Sequence, residues 1–249
     1  MKNITSRKNE YIRHLRLLAG DAAYRRQAGE YLCDGMKTLG EAVQFGAEVT
    51  SVLWKNSAQN AAGLEKAGEY IADSGLFDYA SVMKNSPGPL FTVKISENQT
   101  GSPIKSAVIL ESVQDPGNVG TVVRTASAFG IDAVILTGDC ADLYNPKTVR
   151  STMGAIFRQR VLRCSLEEVK NLLRENSLSL YGAALSDKAE DIRAVNIKNS
   201  AVAIGSEGNG LSREFLDICD GTIIIPMSPD SESLNAAVAA SVAMWEMAR

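Results

Sequence analysis

The sequence predicts an α/β protein, with a parallel-sheet domain in its second half and a smaller α/β domain before it. Three observations carry this. From residue 107 onward, short apolar β-branched runs alternate with helix-length segments, the pattern of parallel strands joined by crossover helices. Ahead of them residues 96–106 (SENQTGSPIKS) are polar, carry Gly and Pro and lack periodicity, as linkers do. The chain has 249 residues, 45% hydrophobic and 22% charged, enough for one large or two small cores. The expected division is residues 1–97, a linker at 98–105, and a second domain over 106–249.

In the first domain, Thr5 and Ser6 suit a helix start, and Tyr11, Leu15 and Leu18 then share one face. Gly20 and Asp21 break that helix, and a second short one carries Tyr24, Arg25 and Arg26. Residues 30–33 read as a strand ending in Asp34-Gly35, followed by a helix to about residue 45 and strands at 49–54 and 91–95. Pro87-Gly88-Pro89 forces the turn before the last of these.

In the second domain, strands are expected at 107–110, 133–136, 159–162, 178–183, 201–204 and 222–225, with helices at 119–129, 166–175 and 212–218. Pro226 stops the last strand, because proline cannot donate to a ladder. A polar loop follows, and Ser233 or Asn235 is placed to cap a final helix with alanine at 236, 237, 239, 240 and 243. Small side chains let another backbone come close, so this helix is expected to be enclosed.

Composition excludes several chemistries. The single histidine, His14, leaves no H-E-x-x-H, no Cys/His zinc cluster and no Ser-His-Asp triad away from the N-terminus, so no metal site is expected. Four cysteines without C-x-x-C spacing read as reduced thiols of a cytoplasmic protein. The apolar runs fall short of a membrane span, and the first residues have no signal-peptide core. Net charge is −3, yet residues 1–26 hold seven basic side chains against two acidic ones. Such a patch, with Arg7, Arg25 and Arg26, is either a phosphate-binding footprint or a solvated helix face.

In parallel sheets ligands bind at the carboxyl ends of the strands, and the loops there are unusual. After the first strand, Asn118 stands at a helix start with Arg124 six residues on, under two turns away, so that both are expected to reach one end of the sheet. After the strand at 201–204 comes G-x-E-G-x-G, with glycines at 205, 208 and 210, the reverse of the dinucleotide fingerprint G-x-G-x-x-G. A nicotinamide enzyme fails on that spacing.

These blocks resemble the SpoU (TrmH) family of RNA ribose 2′-O-methyltransferases, members of the SPOUT superfamily. The resemblance lies in N-x-G-x-x-x-R-T-A at 118–126, G-x-E-G-x-G at 205–210, I-P-M at 225–227 and S-L-N at 233–235. A further block, residues 146–157, is similar to the family's P-K-x-x-R-x-S-x-G-A-x-F, with Thr152 keeping the hydroxyl of the usual serine, and it supplies Arg150 as another RNA-binding candidate. Pro229 departs from the glycine many members carry. The strong resemblance covers about residues 106–249. Residues 5–97 are less sharply similar to the substrate-binding domain of rRNA-directed members, a fold like certain RNA-binding ribosomal proteins.

The resemblance implies a C-terminal trefoil knot, a homodimer built on the knotted domain, and S-adenosylmethionine held by Gly205, Ile225, Met227, Leu234 and Asn235. It implies that Asn118, Arg124, Glu207, Ser233 and Asn235 form the catalytic set, with Arg124 activating the ribose hydroxyl. Guanidinium is in general a poor proton acceptor, so stabilisation of a developing alkoxide suits Arg124 better than general-base work. Ribosomal RNA is the expected substrate. A tRNA substrate, or an RNA-binding module of the same fold without catalysis, are the alternatives.

Overall fold

The computed structural model describes residues 1–249 apart from 60, 84, 97–102, 187, 229, 231 and 232. Most of the expected linker and Pro229 lie outside the described residues. Contacts divide the chain into two units, Met1–Glu97 with Asp142–Phe157, and Asn98–Ala141 with Arg158–Arg249. The expected continuous second domain is therefore interrupted, because residues 142–157 belong with the first unit: Val149 and Ile156 are buried in its core. The linker is also shorter than expected. Ile104 is buried in the second unit, and Asp132 accepts hydrogen bonds from the backbone N–H of Lys105 and Ser106.

The first unit is built on a five-stranded mixed sheet ordered β1-β4-β3-β5-β2. Its strands are β1 (Lys2–Ile4), β2 (Glu30–Asp34), β3 (Val49–Lys55), β4 (Gly68–Ala72) and β5 (Leu90–Lys94). Helices α1 (Glu10–Gly20), α2 (Ala22–Ala28), α3 (Met36–Gln44), α4 (Ser74–Ala80) and α6 (Pro146–Ser151) accompany it. Strand side chains alternate between faces, and here both faces are buried. Leu32, Leu53 and Leu90 join Ile12, Leu15, Leu18 and Phe77 on one side. Tyr31, Cys33, Val52, Trp54 and Phe91 join Leu39, Val149 and Ile156 on the other.

Two expectations shift in this unit. Helix α1 starts at Glu10, because the Asn9 side chain accepts from Tyr11 N, while Ser6 instead closes a turn by accepting from Lys8 N. Strands β1 and β4 and helix α4 carried no sequence signal. β1 has three residues, and β4 opens with Gly68 and Glu69 and has an apolar run of only three residues, Tyr70–Ala72; its register against β3 comes from tertiary pairing.

The second unit holds a seven-stranded sheet, parallel throughout, ordered β10-β12-β9-β11-β6-β7-β8. The strands are β6 (Ala107–Glu111), β7 (Ala133–Thr137), β8 (Val161–Arg163), β9 (Leu180–Ala183), β10 (Glu190–Asp191), β11 (Ala201–Ile204) and β12 (Gly221–Ile224). Helices α5 (Pro116–Phe129), α7 (Leu166–Glu175), α8 (Arg213–Leu216) and α9 (Ala236–Ala248) complete it. Alternate residues Ala107, Ile109, Ile135 and Ala203 pack with Val169, Leu173 and Phe215. Helices α5 and α9 pack on each other, α5 also meeting β7 and α9 meeting β11. The strand order reverses beside β6: β7 and β8 follow on one side, while β11 and β9 lie on the other. The crevice at the carboxyl ends of β6 and β11 is thus the topological switch point.

All four cysteines are free thiols. Burial raises the pKa of each, that of Cys219 to about 12, so they remain protonated and inert.

Candidate active site

Adjacent parallel strands deliver their following loops to the same edge. β6 and β11 pair in register from Ala107 with Ala201 to Leu110 with Ile204. The loop after β6 enters α5 at Asp115, whose carboxylate accepts from Gly117 N and Asn118 N while Pro116 fills the first helical position. This places Asn118 in the first turn, later than the helix start expected for it. The loop after β11 is closed by two backbone bonds, Ser206 N to Gly210 O at 3.1 Å and Gly210 N to Ser206 O at 3.0 Å. A Cβ on Gly205 would lie 2.0 Å from the Gly210 carbonyl carbon, so only glycine fits where the loop doubles back. Gly210 itself has φ +64. This accounts for two of the three glycines, and Gly208 meets no such neighbour.

Three of the five expected catalytic residues join in one hydrogen-bonded relay. Asn235 caps α9, its Oδ1 accepting from Ala237 N and Val238 N. Its Nδ2 is then left to donate, and does so to Asn118 Oδ1 at 3.0 Å. Asn118 Nδ2 in turn donates to Glu207 Oε1 at 2.6 Å. The cap fixes the amide orientation of Asn235, which fixes that of Asn118, and the relay ends on a carboxylate whose Oε2 has no partner among the described residues. Residues 118, 207 and 235 come from three blocks far apart in the sequence.

Arg124 and Ser233 stand apart from the relay. Arg124 is exposed on α5, and six residues at about 100° each turn it roughly 120° around the helix from Asn118. The expected convergence of the two is therefore not made by spacing. Among the described residues no hydrogen bond links either Arg124 or Ser233 to the relay. The expected cofactor residues lie on the two loops after β11 and β12: Gly205 is buried, Ile225 and Met227 are half-buried, and Leu234 is exposed.

Sequence reasoning missed Glu111. At the end of β6 its carboxylate accepts from Ser212 N at 2.8 Å and Ser212 Oγ at 2.6 Å, tying the exit of the 205–210 loop to the neighbouring strand. The only signal was a charged residue closing an otherwise apolar strand.

The expected RNA-binding arginines divide. Arg7 and Arg26 are exposed, and Arg150, in the first unit, is exposed too. Arg25 is corrected. It is 3% exposed, its Nε and Nη2 donate to Asp142 Oδ2 at 3.0 and 2.6 Å, and its Nη1 donates to Leu18 O at 2.6 Å. A guanidinium so enclosed holds residues 142–157 to α2 and cannot present itself to a phosphate.

The model of the SpoU rRNA Methylase family matches residues 105–245, and the chain belongs to that family. Among particular relatives, it is 29% identical over 248 residues to the 23S rRNA (guanosine(2553)-2'-O)-methyltransferase RlmP of Bacillus subtilis (strain 168), covering 99% of each chain. It is similar to the SpoU methyltransferase AviRb from Streptomyces viridochromogenes in complex with AdoMet, with TM-score 0.86, 26% identity and coverage of 96% of this chain and 97% of that one. The AdoMet-bound rRNA methyltransferase from Sinorhizobium meliloti, at TM-score 0.88 and 22% identity over 98% of this chain and 96% of that one, shares the fold.

Proposed function

We propose that this protein transfers a methyl group from S-adenosylmethionine to a ribose 2′-hydroxyl of ribosomal RNA. The observation that carries the reading is the Asn235–Asn118–Glu207 relay at the switch point of the parallel sheet, assembled from three separate blocks within the span that the family model matches. Relatives named as 23S rRNA 2′-O-methyltransferases along nearly the whole chain favour rRNA over tRNA.

The residues present fit the cofactor. The loops after β11 and β12 combine a glycine-lined backbone with the partly accessible apolar side chains Ile225, Met227 and Leu234, suited to an adenine face between backbone donors and acceptors. Gly205, Ile225, Met227, Leu234 and Asn235 would hold it. When bound, S-adenosylmethionine supplies an activated methyl on a sulfonium, so the protein needs no metal to generate an electrophile. The chain's own task is to orient a ribose hydroxyl and stabilise its developing negative charge. Glu207, fixed by Asn118, offers its remaining oxygen to a ribose hydroxyl. Arg124, exposed and without a hydrogen-bond partner among the described residues, supplies the positive charge, and Ser233 completes the ribose contacts.

The same reading includes a trefoil knot in the second unit, favoured by the late strand β12 lying between β9 and β10 and by the alanines of α9 buried against α5. It includes a homodimer through α9, which leaves Val238 48% and Trp245 59% exposed beside Phe129. It assigns the first unit to RNA recognition, through Arg7, Arg26 and Arg150. The place of action is the cytoplasm, where ribosomal RNA is matured; no helix among the described residues is long and apolar enough to cross a membrane.

Calorimetric titration with S-adenosylmethionine and with NAD, together with mapping of 2′-O-methyl positions in total RNA from cells with and without the protein, tests the reading. Binding of the first ligand alone and loss of one rRNA methylation on deletion are expected. Binding of NAD only, or an unchanged methylation map, overturns it.

A further inference from the structure

The first unit encloses a cavity of about 350 Å³ at the end of β2, the size of a small ligand site. Leu32, Met83 and Leu90 give it apolar walls, and Asp34, Lys147 and Arg150 give it charge. Asp34 is held from behind. Ser86 Oγ donates to its Oδ1 at 2.6 Å, Ser81 Oγ reaches its Oδ2 at 3.5 Å, and the Ser86 carbonyl is itself pinned by Lys55 Nζ at 3.1 Å. A carboxylate has about four lone-pair directions, so each oxygen keeps one to offer. Burial raises the Asp34 pKa, with the two serines, Arg150 and Lys55 pulling the other way, which describes a carboxylate short of water partners. Arg150 lies near enough to act on Asp34 electrostatically, yet no ion pair joins them among the described residues. The cavity thus presents two acceptors and, apart from them, two cationic side chains, of which Arg150 acts electrostatically on Asp34.

We propose that this cavity receives one unpaired guanine nucleotide of the RNA, with its N1–H and N2–H edge on Asp34 and its phosphate on Arg150. The proposal rests on the RNA-methyltransferase reading above and adds a base-reading site to it. Only guanine sets two N–H donors side by side. Adenine and cytosine place an acceptor nitrogen beside the amino group, which would face the second Asp34 oxygen, and uracil flanks its single N–H with carbonyls. Single-stranded bases are read in this way, on their Watson–Crick edges and between apolar walls. Arg150 supplies the phosphate contact that every nucleotide shares.

The test titrates the full-length protein with the four nucleoside 5′-monophosphates, following amide shifts by NMR. GMP is expected to bind at least about ten-fold more tightly than AMP, CMP or UMP, the scale of one bidentate base contact. Asp34→Asn is expected to abolish the preference, and Val82→Trp, at the exposed cavity rim, to exclude all four. In methylation of an rRNA fragment, GMP is expected to raise the KM for RNA and leave S-adenosylmethionine affinity unchanged. Equal binding of the four, binding of none, or a GMP preference that survives Asp34→Asn in a folded protein overturns the proposal. GMP binding with no competition against RNA identifies a free-nucleotide site and also overturns it. Failure to bind S-adenosylmethionine is read separately and strikes the methyltransferase assignment instead.

Discussion

At the scale of single residues, Arg124 and Arg25 were both expected to work on RNA, and they differ in burial and in hydrogen bonding. Arg124 is exposed and free of hydrogen-bond partners among the described residues. Arg124→Ala should therefore leave thermal unfolding and S-adenosylmethionine affinity unchanged while turnover falls roughly 10²–10³-fold, the loss for one donor to a developing oxyanion. Arg124→Lys keeps the charge without the fork and should retain part of the activity. Single-turnover rates across pH separate this from a general base, for which the rate would keep climbing with pH. Arg25 is the reverse case. Removing it strands Asp142 and Leu18 O, so Arg25→Ala should cost about 3 kcal/mol of stability, the low end for a broken buried pair because Asp142 is partly exposed. Denaturant unfolding measures this, and RNA affinity at a temperature where both proteins are folded should barely move. In the sequence these two arginines sit in different motifs, but nothing there shows that one is buried and the other exposed. Arg25 belongs to a basic run, and its partner lies 117 residues away, beyond the reach of local pattern.

At the scale of elements, β6, β7, β11 and β12 were legible because each is a short β-branched run that ends at or next to Gly, Pro or a charge. Their ends moved by only a few residues, as with α5, which Asp115 and Pro116 start three residues early. The elements that escaped notice, β1, β4, β10, α4 and α6, are short or polar and owe their conformation to pairing and packing. The enclosed final helix was half legible. Ala236, Ala237, Ala240 and Ala243 are buried as its composition suggested, but Val238 and Trp245 face outward beside Val242 in a groove with Thr121 and Thr125 of α5. An apolar helix with one face covered and the other bare suits a second copy of itself. Trp245→Glu should convert the proposed dimer to a monomer in light scattering at micromolar concentration. If the wild type is already monomeric there, the dimer reading is wrong.

At the scale of the whole molecule, the contacts change how the RNA-binding assignment is best tested. Deleting residues 1–97 would be clean only if the remainder were a complete folding unit. It is not, because Leu143, Tyr144, Val149, Ile156 and Phe157 pack into the core that Tyr31, Trp54 and Phe91 build. Truncation would expose those side chains, and lost methylation could then mean lost folding. Surface charge offers a cleaner probe. Arg7 and Arg26 are exposed on the first unit, and neither makes an ion pair among the described residues. Arg7 stacks over the Tyr79 ring at 4.6 Å, and Arg16 lies over the same ring at 4.2 Å. A Tyr ring flanked by two guanidinium groups is a surface that nucleic acid favours. Each phosphate contact releases counterions, with a slope of roughly −0.7 to −0.9 in log K against log salt. The double change Arg7→Glu and Arg26→Glu should therefore weaken rRNA binding at low salt at least about ten-fold and flatten its salt dependence by one to two such contacts. S-adenosylmethionine binding should stay at the wild-type value, and stability should fall by no more than the exposed Arg7–Tyr79 contact is worth, about 0.5–1 kcal/mol, since neither side chain is part of a core. An unchanged salt slope would mean that the first unit's basic edge is only a solvated helix face, and RNA selection would have to be sought elsewhere in the chain.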